Sequence, residues 1–133
     1  MNTDGMHADA AIRNHIDAMT QAIREKDVDS LMSHYAPDVV VSDVTAPLDV
    51  QGADAYRKKF ERWFGSIEGP VDYEMNDLNI SVDDDVGQSL CTAHVRGTRT
   101  NGHKADYCVQ VTTEFRKVNG HWLVRHENIS LPS

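Results

Sequence analysis

Two residues have the type and setting for proton-transfer chemistry, Asp43 and His126. Asp43 closes the stretch "VVVSD", where strand spacing puts it on the face of Val39 and Val41. A carboxylate in phase with buried valines at a strand end is partly desolvated, which suits a general base. The same residue also reads as a carboxylate that caps the following loop, "VTAP". His126 lies in "HWLVRHENISLP", residues 121–132. As a strand, this stretch carries Trp122, Val124, His126, Asn128 and Ser130 on one face. Leu123, Arg125, Glu127 and Ile129 fall on the other, which reads as outward. A face that begins with an indole and ends with an imidazole, an amide and a hydroxyl fits a strand running from a core to a wet cavity. His126 there is either a pocket acid/base or a core histidine satisfied by its neighbours.

Around these two, aromatic residues offer a wall. Tyr56, Phe60, Trp63 and Phe64 share one side of a helical stretch, as core or as a ligand platform. Seven histidines show no metal-ligand spacing such as His-x-x-x-His, so no metal is expected. There is no Gly-rich phosphate loop, no Ser nucleophile elbow and no dinucleotide fingerprint, so no cofactor is expected either. If a hairpin turns at "TNGH" (100–103), Cys91 and Cys108 lie roughly 13 Å or more apart along paired strands, too far for a disulfide. Both read as reduced and packed.

The elements that must position these residues are legible from periodicity. Ile12, Ile16, Met19 and Ile23 repeat at helical spacing from about Ala8 to Lys26, after a loose lead-in over about residues 1–7. A short helix follows at "DVDSLMSHY" with Asp27 as its cap, and Pro37 ends it. Residues 38–44 form a short strand, "TAPLDVQG" a loop, and "ADAYRKKFERWFGSI" a third helix. After Pro70 come four strand-like stretches joined by "DDDVG", "NGHK" and "NG". Asn-Gly pairs favour type I′ hairpin turns, in which both central residues need positive φ. Helices first and hairpins afterwards predict an α+β domain, with the helices on one face of an antiparallel sheet.

The last hairpin can be registered. A two-residue Asn119-Gly120 loop pairs Val118 with His121, Phe115 with Val124, Thr113 with His126 and Val111 with Asn128, and sets Glu114 opposite Arg125. Tyr107, Val109, Val111, Thr113 and Phe115 then share the inner face. The middle hairpin has two readings. A two-residue loop turns Thr92, His94 and Arg96 inward, whereas the hydrophobic pattern favours Cys91, Ala93 and Val95.

The formal charge of −8 argues against a nucleic-acid partner. No apolar run approaches the ~20 residues of a membrane span, and the first ten residues lack a secretory pattern. The cytoplasm is the expected location, in one domain covering residues 1–133.

The stretches "KDVDSLMSHYAPDVVVSD" and "GHWLVRHENISLP" are similar to those of the nuclear transport factor 2-like superfamily, in its SnoaL-like and ketosteroid-isomerase-like branch. The resemblance spans roughly residues 8 to 132. It implies a cone, in which a curved sheet wraps about three N-terminal helices around an internal pocket. It places Asp43 where the isomerase-like pattern has its general base, and the outer sheet face where the family commonly forms a homodimer. The family's oxyanion-donating tyrosine falls at Met19 and its protonated carboxylic acid at Val111, so neither donor is present. Asn128 stands where the branch often has a second histidine.

Two functional classes follow. One is a cofactor-free isomerase, cyclase or dehydratase acting on a small, largely apolar organic molecule, with Asp43 as base and His126 as partner. Its pocket candidates are Tyr56, Phe60, Trp63, Tyr107, Val111, Asn128 and His94. The other is a non-catalytic ligand-binding or oligomerisation module of the same fold.

Overall fold

The computed structural model describes residues 3–45 and 47–132. Three helices precede most of the sheet: α1 (Thr3–Glu25), α2 (Val28–Met32) and α3 (Ala53–Gly65). The strands are β1 (Tyr35–Ser42), β2 (Asp49–Gln51), β3 (Ile67–Asp83), β4 (Val86–Arg99), β5 (Lys104–Val118) and β6 (His121–Ser130). They form one mixed sheet in the order β2-β1-β6-β5-β4-β3. β1 runs parallel to β6, and the other neighbours are antiparallel. The α+β class and the cone hold.

The helical periodicity marks the inner faces. Ile12, Ile16, Met19 and Ile23 of α1 are all buried, as are Tyr56, Phe60 and Phe64 of α3. Asp27 caps α2 by accepting a bond from the Ser30 amide at 3.2 Å. One end of the core is sealed by Ile12, Leu31, Phe115, Trp122 and Val124, each at most 5% exposed. Gly87 belongs to that seal: a Cβ there would overlap the Ile12 side chain. Two expectations are corrected. Helix α1 already begins at Thr3, so the lead-in expected over residues 1–7 is helical from Thr3 onward. The expected loop at 45–52 contains β2, too short to show a period of its own.

Turns set the registers. Asn119 and Gly120 have φ of 51° and 82°, and Val118 faces His121 as the Asn-Gly signal predicts. The middle hairpin closes on a longer loop, with Thr98 opposite Lys104. That extra length turns Cys91, Ala93 and Val95 inward, the hydrophobic reading. Cys108 pairs with His94 across the ladder, and both thiols are free. Cys91 is packed as expected, whereas Cys108 lies exposed on the outer face.

The decisive irregularity is in β6. Phe115 faces Val124 but Glu114 faces His126, so Arg125 is an extra residue, a bulge. The neighbouring β1 is irregular at the same height: Tyr35 faces Val124 and Val40 faces His126. Pro37, which has no amide hydrogen for a ladder, lies in that interval. Arg125 reaches across to Asp38 at 3.1 Å, tying one irregularity to the other.

Candidate active site

The bulge reverses the inner face of β6. Before it, Trp122 and Val124 point inward. After it, Glu127 is buried at 5% exposure, and Ile129 and Leu131 line the cavity with it. His126 and Asn128 are exposed instead, in a shallow outer cleft with Gln88, Thr112 and Glu114. Thr113, expected opposite His126, faces Glu127. Val111, expected opposite Asn128, faces Ile129. His126 and Asn128 are therefore outside the cavity, because one inserted residue moves each side chain to the other face.

The helices and the concave sheet enclose a cavity of about 650 Å³. Of the expected residues, Asp43, Tyr56, Phe60, Trp63, Tyr107 and Val111 line it. His94 does not. It sits on the outer face with its Nε2 2.6 Å from Asp106, whose carboxyl is held below the usual range chiefly by that contact. Val44, Thr45, Arg62 and Leu131 line the cavity and are also exposed, so they mark its mouth.

Glu127 is the residue that sequence reasoning placed on the wrong face. Three hydroxyls converge on its carboxylate. Tyr56 donates to Oε1 at 2.6 Å, Tyr35 to the same oxygen at 2.9 Å, and Thr113 to Oε2 at 2.9 Å. Three donors stabilise the ionised form, and burial opposes it. Burial prevails, and the carboxyl is raised above the ordinary glutamate range. The negative charge of Asp43 pushes in the same direction. Both phenols are raised well above the usual range, first by burial and then by the glutamate charge. They stay protonated and serve as donors. A signal for Glu127 existed: Glu127, Ile129 and Leu131 form a more apolar alternation than Asn128 and Ser130.

Asp43 follows β1, with Val39 and Val41 fully buried in phase with it. Its two oxygens are engaged. Oδ2 lies 2.6 Å from Lys59 Nζ, and Oδ1 accepts from the Val44 amide at 2.6 Å. Lys59 also donates to the carbonyls of Thr45 and Pro47, each at 2.8 Å. Asp43 is thus both a cavity carboxylate and the anchor of its loop. Among the described residues, no group of three or more His, Cys, Asp or Glu could hold a metal ion.

A family model for a SnoaL-like domain matches residues 12–133. The chain belongs to the SnoaL-like family, within the nuclear transport factor 2-like superfamily. No curated protein matches its sequence. An NTF2-like protein of unknown function from Pseudomonas putida KT2440 is 26% identical, with a TM-score of 0.85 over 96% of this chain and 88% of that one. A ketosteroid isomerase-like protein from Erwinia carotovora atroseptica SCRI1043 is 19% identical (TM-score 0.79; 93% and 95% covered). A hexachlorocyclohexane dehydrochlorinase from Novosphingobium barchaimii LL02 is 12% identical (TM-score 0.87; 100% and 92% covered). Among the described residues, no helix is long and apolar enough to cross a membrane.

Proposed function

We propose that this SnoaL-like chain catalyses cofactor-free proton transfer on a small, largely apolar organic molecule, as an isomerase, cyclase or dehydratase. Glu127 is the proton carrier. One observation carries the reading: a carboxyl buried in a mostly apolar cavity, raised above its ordinary range and fixed by Tyr35, Tyr56 and Thr113. A general base or acid works best when its pKa approaches the operating pH, and its orientation must be held before substrate arrives. Asp43, expected as the base, supports the site here. Its ion pair with Lys59 holds the loop at the mouth, and its charge keeps the Glu127 proton from leaving too readily.

Deuterium exchange into enolisable apolar ketones such as 2-tetralone, followed by proton NMR, tests the reading. Wild type is expected to exchange the α-protons above the buffer rate. Glu127→Gln is expected to lose about a hundredfold or more of that rate, the usual scale for a general acid-base residue. Exchange that survives the substitution undiminished sinks the mechanism.

A second reading, a binding module without turnover, draws on Met19 and Val111 in the cavity wall, where the isomerase-like pattern has its two donors. A ligand-dependent thermal shift with no exchange in any ketone of the panel would favour it. We also propose that two copies pair through the outer sheet face, which offers Val40 and Leu90 as exposed aliphatics. A monomer by light scattering would rule this out.

A further inference from the structure

The cavity holds a second polar cluster, remote in chemistry from Glu127. Trp63 Nε1 is buried and has no hydrogen-bond partner, the one such side-chain atom among the described residues. An indole N–H only donates, and a buried donor left unpaired is costly. Trp63 lies beside the Tyr107 hydroxyl without closing a bond of good geometry, and Arg99 lies near the same phenol. All three line the cavity. Arg99 is half-buried on β4 and forms no ion pair among the described residues. A phenol, an indole N–H and a guanidinium thus converge with no carboxylate among them.

The balance of charge points the same way. The chain as a whole is at −8. Its cavity nevertheless carries three cations, Lys59, Arg62 and Arg99, against two carboxylates, Asp43 and Glu127. Lys59 is fully occupied by Asp43 and two carbonyls. Arg62 stands at the mouth and Arg99 further in, both without a carboxylate partner among the described residues. Low-dielectric walls concentrate the field of such groups on whatever enters.

We propose that the molecule this pocket takes is an organic anion. Its carboxylate sits on Arg99, Trp63 and Tyr107, and its apolar body runs past Phe60 and Met19 toward Glu127. A guanidinium matches a carboxylate with two parallel hydrogen bonds, and the indole and phenol complete the acceptor's shell. The inference deepens the proton-transfer reading, since it names the substrate class of the same site. The carboxylate end fixes the pose, so Glu127 meets a carbon on the apolar body.

Calorimetric titration with matched aromatic probes tests this without turnover: benzoate, 2-naphthoate and 2-anthroate, each against its methyl ketone. At least one anion is expected to bind about tenfold or more tightly than its ketone, with an advantage that shrinks as salt rises. Arg99→Gln is expected to cost that anion about ten- to a hundredfold, and Trp63→Phe about three- to tenfold. Arg62→Gln, an exposed change at the mouth, is expected to weaken it less than Arg99→Gln. If no anion binds more tightly than its ketone, absence of all binding included, the proposal is overturned. An Arg99→Gln variant that folds and keeps wild-type affinity overturns it too. The titration reads affinity and the deuterium exchange reads turnover, so loss of anion selectivity and loss of exchange chemistry are separate results.

Discussion

The Tyr56 hydroxyl donates to Glu127 Oε1 at 2.6 Å, joining the first turn of α3 to the last strand across 71 residues of chain. This bond couples helix placement to the protonation of the cavity carboxyl. It favours the charged form that burial disfavours, and the two effects set where the proton is released.

Removing that donor should therefore raise the Glu127 pKa further. In a carbon-13 NMR titration of labelled glutamate, the Glu127 carboxyl is expected to titrate above the other glutamates in wild type, and higher again in Tyr56→Phe. The same variant should lose about 1–3 kcal/mol of stability, since a buried charge loses a partner. The linkage sign follows from the raised pKa. Between the unfolded value and the raised folded value the native state holds the extra proton, so stability from this group is full at low pH and is lost as pH rises through the folded pKa. Glu127→Gln should remove that loss. Its melting temperature is expected to match or exceed wild type at pH 8, with the gap closing toward pH 5. A constant gap across this range would refute the assignment.

At the sealed end of the cone, His15 and His34 meet through their Nδ1 atoms at 2.7 Å, with Phe115 packed beside His15. Both are half-buried, and burial lowers both pKa values; His34 is lowered further by His15. Here the unfolded chain takes up protons first. Stability is full above the model-peptide value of 6.5 and is lost as pH falls below it. His34→Gln is expected to flatten the fall in urea midpoint between pH 7.5 and 5. An unchanged slope would mean the pair does not titrate in folding.

Gly87 tests the packing of the same end. Its missing Cβ leaves room for the Ile12 side chain, which is fully buried, beside the Trp122 ring. Gly87→Ala should cost about 1–3 kcal/mol by overpacking, and Ile12→Val in that background should recover part of it. Chemical denaturation of the two variants reads this directly. A neutral Gly87→Ala would show that the seal yields easily.

The helices and the hairpins were legible because their signals are local. Ile12, Ile16, Met19 and Ile23 repeat at helical spacing, Asn119-Gly120 dictates a turn, and Val39 and Val41 carry Asp43 inward with them. The face of His126 was signalled only by the alternation of Glu127 with Ile129 and Leu131. Alternation is a counting rule, and one bulge at Arg125 resets the count without changing the composition around it. At the bulge Arg125 meets Asp38, and a proline lies in the parallel neighbour. None of these is visible from within β6. The face of His94 turned on the length of a loop, which a short Asn-Gly signal could not supply.

The Arg125 bulge also bears on how such a cavity can change. Two sets of functional groups are written into one strand in alternate frames, the imidazole and amide of His126 and Asn128 in one and the carboxyl of Glu127 in the other. Ironing out the bulge with Arg125 retained, so that Arg125 pairs with Glu114, would exchange the frames, bringing the imidazole and the amide inside and turning the acid out to solvent. Deleting Arg125 would instead leave His126 opposite Glu114 and keep Glu127 inside. On this strand, spacing is inherited as chemistry.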